Sequence, residues 1–338
     1  MHADPKKNDE ERDARGEWRP AAPAAYAPLF EWPARPKILL KWLFGDPGYL
    51  RPYNLFHVAL AILTWFLLQP ALENCVTLKP GWIGMMLLRN AIFMWIIYGG
   101  LHLILYKLKL HGKNRKYLGA WQATHDPRFL FNNQVHDNIF RSFIIGCPIW
   151  TAYEVLYMWG LANAKLPFLA WDRNPIWFVG MFLVIPIWRE LHFYTIHRML
   201  HWRPLYKHVH KVHHLNTNPG PWAGMAMHWF ELIGYLSVVL IHFIVPSHPI
   251  HFLFNAQLTA LTPAYGHHGF DGPLFEGKFP TGSYFHYLHH RHVSCNFGES
   301  TLPLDRWFGT FYNGKGSYRQ WLKTRHNQSE PQPNEPQS

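Results

Sequence analysis

Histidines recur at helical spacing through the second half of the chain, and imidazole is the commonest protein ligand for metals. In RELHFYTIHRMLH, His197 and His201 stand four residues apart. One helical turn puts both on one face, where two rings can grip a single ion without distorting the backbone. Glu190, seven residues before His197, falls on the same face, where it could orient a ligand or bind metal itself. In KHVHKVHH, His210, His213 and His214 follow an H-x-x-H-H pattern, and FHYLHH repeats it with His286, His289 and His290. Two rings of each box can address one metal, while neighbours such as His213 and His214 diverge enough to serve different ions. Between the two boxes lie His228 in MHWFE and His267 in YGHHGF.

Only three cysteines are present (Cys75, Cys147, Cys295), which excludes a disulfide scaffold and a cysteine zinc ribbon. Eight or more imidazoles with no thiolate suit Zn, Fe, Cu or Ni. A structural zinc is saturated by four ligands, so this set implies two ions with four or five each. Two metals held by neutral ligands beside a membrane suggest O2 activation against an unactivated C–H bond, on a hydrocarbon supplied from the bilayer. A zinc hydrolase would need about three ligands and an open position. A metal transporter would place its ligands inside its spans, whereas the boxes here follow them.

The elements that must position these rings are apolar. Of 338 residues 49% are hydrophobic, 17% aromatic and only 16% charged, against about 25% charged in soluble domains. The formal charge is +11, with 32 Lys+Arg against 21 Asp+Glu and 24 His, so an anionic partner is expected. Because the aromatics lie in long apolar runs and not among Lys and Arg, that partner reads as a lipid surface, not nucleic acid. Near-spanning segments cover 54–72, 81–106, 139–161 and 175–188, a span needing about 20 residues. A fifth stretch, 229–260, is broken by Pro246 and Pro249 and reads as a bent hairpin. The expected fold class is all-α: a polytopic membrane protein of about four transmembrane helices plus a bent apolar hairpin, capped by a cytosol-facing helical histidine-box domain. Residues 1–36 read as a flexible tail, 37–188 as transmembrane helices, 189–326 as the histidine-box catalytic domain with its embedded hairpin, and 327–338 as a disordered tail. Lys37, Lys41 and Arg51 precede the first span, and Lys107, Lys109, Lys113, Arg115 and Lys116 follow the second. The positive-inside tendency makes those ends, and the histidine face, cytosolic.

In this order, H-x-x-x-H, H-x-x-H-H and H-x-x-H-H resemble the fatty acid hydroxylase/sterol desaturase superfamily. His197-Arg198 through His201, Leu205-Tyr206 and His210-Lys211-Val212-His213-His214 look like its HR-x-x-H … Y … HK-x-HH core. His228 and Glu231 sit where the family often has H-P-x-E, and His267 with Gly269 resembles its H-x-G. Asn296-Phe297-Gly298 and the run from Asp305 to Thr310 resemble its N-Y-G … W-D-R-x-F-G-T ending. Trp229, Phe297 and Leu304 depart from that pattern without removing a histidine. The resemblance implies an integral, multi-pass non-haem di-iron oxygenase of a bacterial inner membrane or endoplasmic reticulum. It would use two Fe ions (zinc can occupy such positions in a structure), O2 as co-substrate, and electrons from an external reductase or electron carrier. The substrate would be a lipid from the bilayer, a fatty acyl chain or related lipid, which it would hydroxylate. Alternatives are a sterol/lipid desaturase or sterol methyl oxidase on the same centre, and a histidine-rich metal-binding membrane protein without oxygenase activity. Carried over as metal ligands are His197, His201, His210, His213, His214, His267, His286, His289 and His290, with His228 as a tenth. Glu190, Glu231, His208, His268 and His292 are candidates to support those ligands. Asp305 and Arg306 could pair to fix the C-terminal lid.

Overall fold

The computed structural model describes residues 12–13, 16–271, 273–274, 279–280 and 284–329. Helix α1 (Pro36–Phe44) leads into α2 (Leu55–Leu63), which continues in wider-wound turns through Leu68. Among the described residues three helices are long and apolar enough to cross a membrane: α3 (Pro80–Lys107), α4 (Gln134–Ala162) and α5 (Pro175–Leu200). The helical run 203–214 is α6, followed by α7 (Trp229–Phe243), α8 (Pro249–Leu261), α9 (Tyr284–His292) and α10 (Tyr318–Ser329). Among the described residues the only ladder is an antiparallel pair of two-residue strands, Pro273–Leu274 with Phe279–Pro280.

Local sequence explains the boundaries that matter for the site. The first expected span, 54–72, is shorter than the others because Gln69 precedes Pro70 and is pushed into extended backbone. The chain then re-forms only a short 3-10 turn, Leu72–Val76. At the start of α5, Asn174 accepts the Trp177 N–H at 3.0 Å and Pro175 occupies the first turn. The helix then runs unbroken past residue 188. The boundary expected at 188/189 therefore falls inside one element, and the apolar stretch and the first histidine box share a single helix, with Pro186 in its interior.

The expected hairpin 229–260 corresponds to α7 and α8, but its second arm faces no lipid. All 13 residues of α8 are buried, and the helix packs against α2, α4 and α5. Its apolar character therefore serves the protein core. Against α3 packs α4, and between them Arg89 pairs with Glu154, with Asn90 and Thr151 completing the network. A charge at that depth persists only when paired.

The N-terminal segment is a correction to the expected free tail. Residues 1–11, 14 and 15 lie outside the described residues, but from residue 16 the chain is fastened to α9. Trp18 N–H donates to Tyr117 O at 2.8 Å, and the Tyr287 hydroxyl and Arg291 Nε donate to Glu17 Oε1 at 2.8 and 3.2 Å. Trp18, Tyr117, Tyr284 and Tyr287 form a small aromatic core there. Of the expected C-terminal tail, 327–329 complete the last turn of α10 and 330–338 lie outside the described residues. The basic segment after α3 lies at the histidine end of the molecule: Tyr117 N–H donates to Gly269 O at 3.0 Å, and Lys116 Nζ to Asn218 Oδ1 at 2.8 Å.

Candidate metal centre

Nine of the ten histidines that the resemblance carried over as ligands converge in two groups. His197, His201, His210, His214 and His289 form one; His213, His267, His286 and His290 form the other. Within each group every ring offers a nitrogen within 4.8 Å of all the others. Helix α5 supplies His197 and, at its C-cap, His201. The α6 run supplies His210, His213 and His214, and α9 supplies His286, His289 and His290. His267 follows the short helix Pro263–Gly266 directly after α8.

Hydrogen bonds to the outer nitrogens fix the tautomers. His197 Nδ1 lies 2.6 Å from Phe297 O, His289 Nδ1 2.7 Å from Cys295 O, and His267 Nδ1 2.9 Å from Pro263 O. Carbonyl oxygens only accept, so each of these rings carries its hydrogen on Nδ1 and turns a bare Nε2 lone pair inward. His210 does the same through Glu231 Oε1 at 2.6 Å. The inner nitrogens then crowd one another. His210 Nε2 lies 3.1 Å from His197 Nε2 and 3.0 Å from His214 Nε2, and His289 Nε2 lies 3.0 Å from His214 Nε2. In the other group His267 Nε2 is 3.0 Å from both His286 Nε2 and His290 Nε2, and 3.3 Å from His213 Nε2. Inward lone pairs at such distances repel unless a cation lies among them. Ligand bonds of about 2.0–2.1 Å meeting near a right angle give a nitrogen–nitrogen edge of about 3 Å. The donor sets therefore fit two metal ions, one among five rings and one among four.

Burial keeps these rings neutral. His210, His213, His214, His286, His289 and His290 are held well below the usual imidazole range, first by desolvation and then by one another. His267 is pushed down to about 4, chiefly by burial. A neutral imidazole is the form that ligates. His201 is shifted the same way by burial, yet it alone of the nine is partly exposed, and its Nε2 has no partner among the described residues.

The other sequence candidates lie elsewhere. His228 belongs to neither group: it precedes α7, and its Nδ1 accepts the Phe230 N–H at 3.2 Å as a helix cap. Of the five supporting candidates, Glu231 touches a ring. Glu190 Oε1 instead accepts the backbone N–H groups of Thr301 and Leu302 at 3.1 and 2.9 Å. His208 is exposed. His268 is buried and accepts the Phe270 N–H at 3.1 Å, and His292 stacks on Tyr318 at 3.9 Å. Asp305 does not pair with Arg306. Its carboxylate accepts from Phe297 N at 2.9 Å, Gly298 N at 2.8 Å and the Thr310 hydroxyl at 2.5 Å. Arg306 lies instead over the Tyr26 ring, 5.2 Å from its centroid. Asp305 thus holds the 295–298 turn whose carbonyls orient His197 and His289. That role had no sequence signal beyond the motif itself, because the turn is held through the backbone N–H groups of Phe297 and Gly298.

A cavity of about 290 Å³ opens onto both groups. His197 and His210 face it from the five-ring group, and His213, His267 and His286 from the four-ring group. Phe193, Ile196, Leu200, Met227 and Leu258 give it apolar walls, with Arg189, Tyr235 and Glu299 also lining it. An apolar cavity of this kind suits a small apolar ligand held against both imidazole groups.

The family model described as fatty acid hydroxylase matches residues 182–310. Delta(7)-sterol 5(6)-desaturase ERG3B of Gibberella zeae is 28% identical over 199 residues, covering 55% of this chain and 58% of its own length. Lathosterol oxidase of Rattus norvegicus is 35% identical over 134 residues, 37% of this chain and 44% of that protein. Methylsterol monooxygenase 1 of Gallus gallus is 28% identical over 184 residues, 51% of this chain and 58% of that protein. The chain thus spans about half the length of the curated relatives it matches. No solved structure matches.

Proposed function

Residues 182–310 belong to the fatty acid hydroxylase/sterol desaturase superfamily, and from that premise we propose that the chain is a membrane-bound, O2-dependent oxidoreductase acting on a lipid. The observation that carries this reading is the pair of inward-facing imidazole groups on one apolar cavity. His197, His201, His210, His214 and His289 hold one iron, and His213, His267, His286 and His290 the other. With O2 and two electrons from an external donor, such a di-iron pair supplies the oxidising chemistry for an unactivated C–H bond.

This chain's own residues do the rest. Phe297 O, Cys295 O, Pro263 O and Glu231 keep a proton on the outer nitrogens of His197, His289, His267 and His210, so the inner ones stay free to ligate. Phe193, Ile196 and Met227 exclude water from the reacting carbon and hold the chain against the centre. The site faces the cytosol: the basic segment Lys107 to Lys116 lies at the same end of the molecule as His267, and basic flanks stay on the cytosolic side. An acidic electron carrier would reach it there.

Hydroxylation is the leading outcome. Desaturation is the second, favoured by the names of two of the relatives, a 5(6)-desaturase and lathosterol oxidase. Lipid extracts of cells with and without the gene, grown aerobically, decide between them. Hydroxylation adds one oxygen to a lipid and desaturation removes two hydrogens. Turnover that persists without O2 would overturn the oxygenase reading.

A further inference from the structure

Helix α9 has two opposite faces. By helical rotation His286, His289 and His290 lie on one, and Tyr284, Tyr287, Leu288 and Arg291 on the other. The second face is pinned by residues 16–18. Glu17 is 6% exposed, and its Oε1 accepts the Tyr287 hydroxyl at 2.8 Å and Arg291 Nε at 3.2 Å. Trp18 N–H donates to Tyr117 O, and Glu17 pairs antiparallel with Leu118. Residues 116–118 in turn hold the loop that follows His267. Lys116 pairs antiparallel with Phe270, and Tyr117 donates its N–H to Gly269 O and its hydroxyl to Asp271 Oδ1, both at 3.0 Å. The Tyr117 ring stacks on Tyr287 with centroids 4.3 Å apart.

One layered contact thus joins the two elements that carry His267, His286 and His290, three of the four rings of the second group. We propose that the N-terminal segment is a clamp on that group: Glu17, a positioning residue, holds α9 and the 267–271 loop at the spacing where those three rings meet one ion. This assignment rests on reading both imidazole groups as metal sites. Neither 16–18 nor 116–118 lies in the matched stretch 182–310, so the clamp acts on the centre from outside it.

The clamp acts unequally on the two ions. In the five-ring group His197, His201, His210 and His214 come from α5 and α6, to which Glu17 and Trp18 make no hydrogen bond among the described residues. His289 is held separately, through its Nδ1 and Cys295 O at 2.7 Å. The four-ring group has only His213 outside the clamped elements. Removing Glu17 leaves the buried Tyr287 hydroxyl without its acceptor, and a buried donor so stranded reaches water by local opening. Three of four rings then lose their common register, whereas the five-ring group keeps four fixed rings.

The test uses the full-length chain in detergent micelles, loaded anaerobically with Fe(II), and follows release of the metal to excess ferrozine by absorbance. The native chain should hold two equivalents. Glu17→Ala should release one of them about tenfold faster and leave the other unchanged. Glu17→Gln keeps an acceptor oxygen and should restore native release. Tyr287→Phe keeps its ring in the aromatic core and deletes only the donor. It should speed the same equivalent by a smaller factor, and it tests the clamp even where Glu17→Ala does not fold. In a His286→Ala background, which should retain only the five-ring ion, Glu17→Ala should change nothing. Equal acceleration of both equivalents, native release in both Glu17→Ala and Tyr287→Phe, or faster release in the His286→Ala background would each overturn the clamp. A native chain that binds no Fe(II) would instead sink the two-ion reading on which it rests.

Discussion

In α6 the i, i+4 pair His210 and His214 joins the five-ring group, and His213 crosses to the other. In α9 the same spacing is divided the opposite way: His286 and His290 join the four-ring group, and His289 crosses back. The geometry of a helix explains the split. Residues i and i+4 are about 40° apart around the axis, while i+3 and i+4 are about 100° apart. One box must therefore address two points in space, and two facing boxes can exchange their odd members. Each group consequently contains a pair from one box and a single ring from the other. Neither forms unless α6 and α9 are both docked. The remaining asymmetry comes from outside the boxes, since α5 adds a second pair to one group while the loop after α8 adds His267 alone to the other.

The largest effect should come from the crossing rings. His289→Ala and His213→Ala each remove the member that ties one box to the other group, and each should abolish product formation. Iron content by mass spectrometry should fall selectively, at the five-ring site in the first and the four-ring site in the second. Retained activity in either would break the idea that both groups are needed. A smaller loss is expected for Glu231→Ala, which removes the acceptor that fixes the His210 tautomer. Iron affinity at the five-ring site should weaken by about 10–100-fold, measured by competition with a chelator, while the four-ring site is unaffected. The smallest effect belongs to His228→Ala. It should leave iron content unchanged and cost about 1 kcal/mol through the lost cap on α7, read as a modest fall in melting temperature. Loss of iron in that variant would bring His228 back as a ligand.

Legibility differed by element. The boxes were readable because imidazoles at helical spacing carry their own geometry, and α3, α4 and α5 because apolar length alone marks a helix long enough to cross a membrane. The run 229–260 was harder. An apolar helix enclosed by protein and one facing lipid have the same composition, and only packing distinguishes α8 from a membrane arm. His228 has the same residue type and company as the nine rings, yet its position at the start of α7 commits it to a cap. Glu17 and Trp18 read as tail because their partners, Tyr287 and Tyr117, lie 270 and 99 residues away. Glu190 and Glu231 looked equivalent as acids near histidines. Only Glu231 meets a ring, since α7 brings it under His210, while Glu190 caps backbone N–H groups.

By itself the sequence determined the chemistry available: which side chains can ligate, that there are enough for two ions, and that they follow apolar helices. Those properties are local, fixed by residue type and by a helical repeat a few residues long. Tertiary structure decided which ring serves which group, which carbonyl or carboxylate sets each tautomer, and where Arg189 and Glu299 meet the cavity. Each of these depends on atoms far apart in the chain, most of them backbone, brought together only by the packing of α5, α6, α8 and α9.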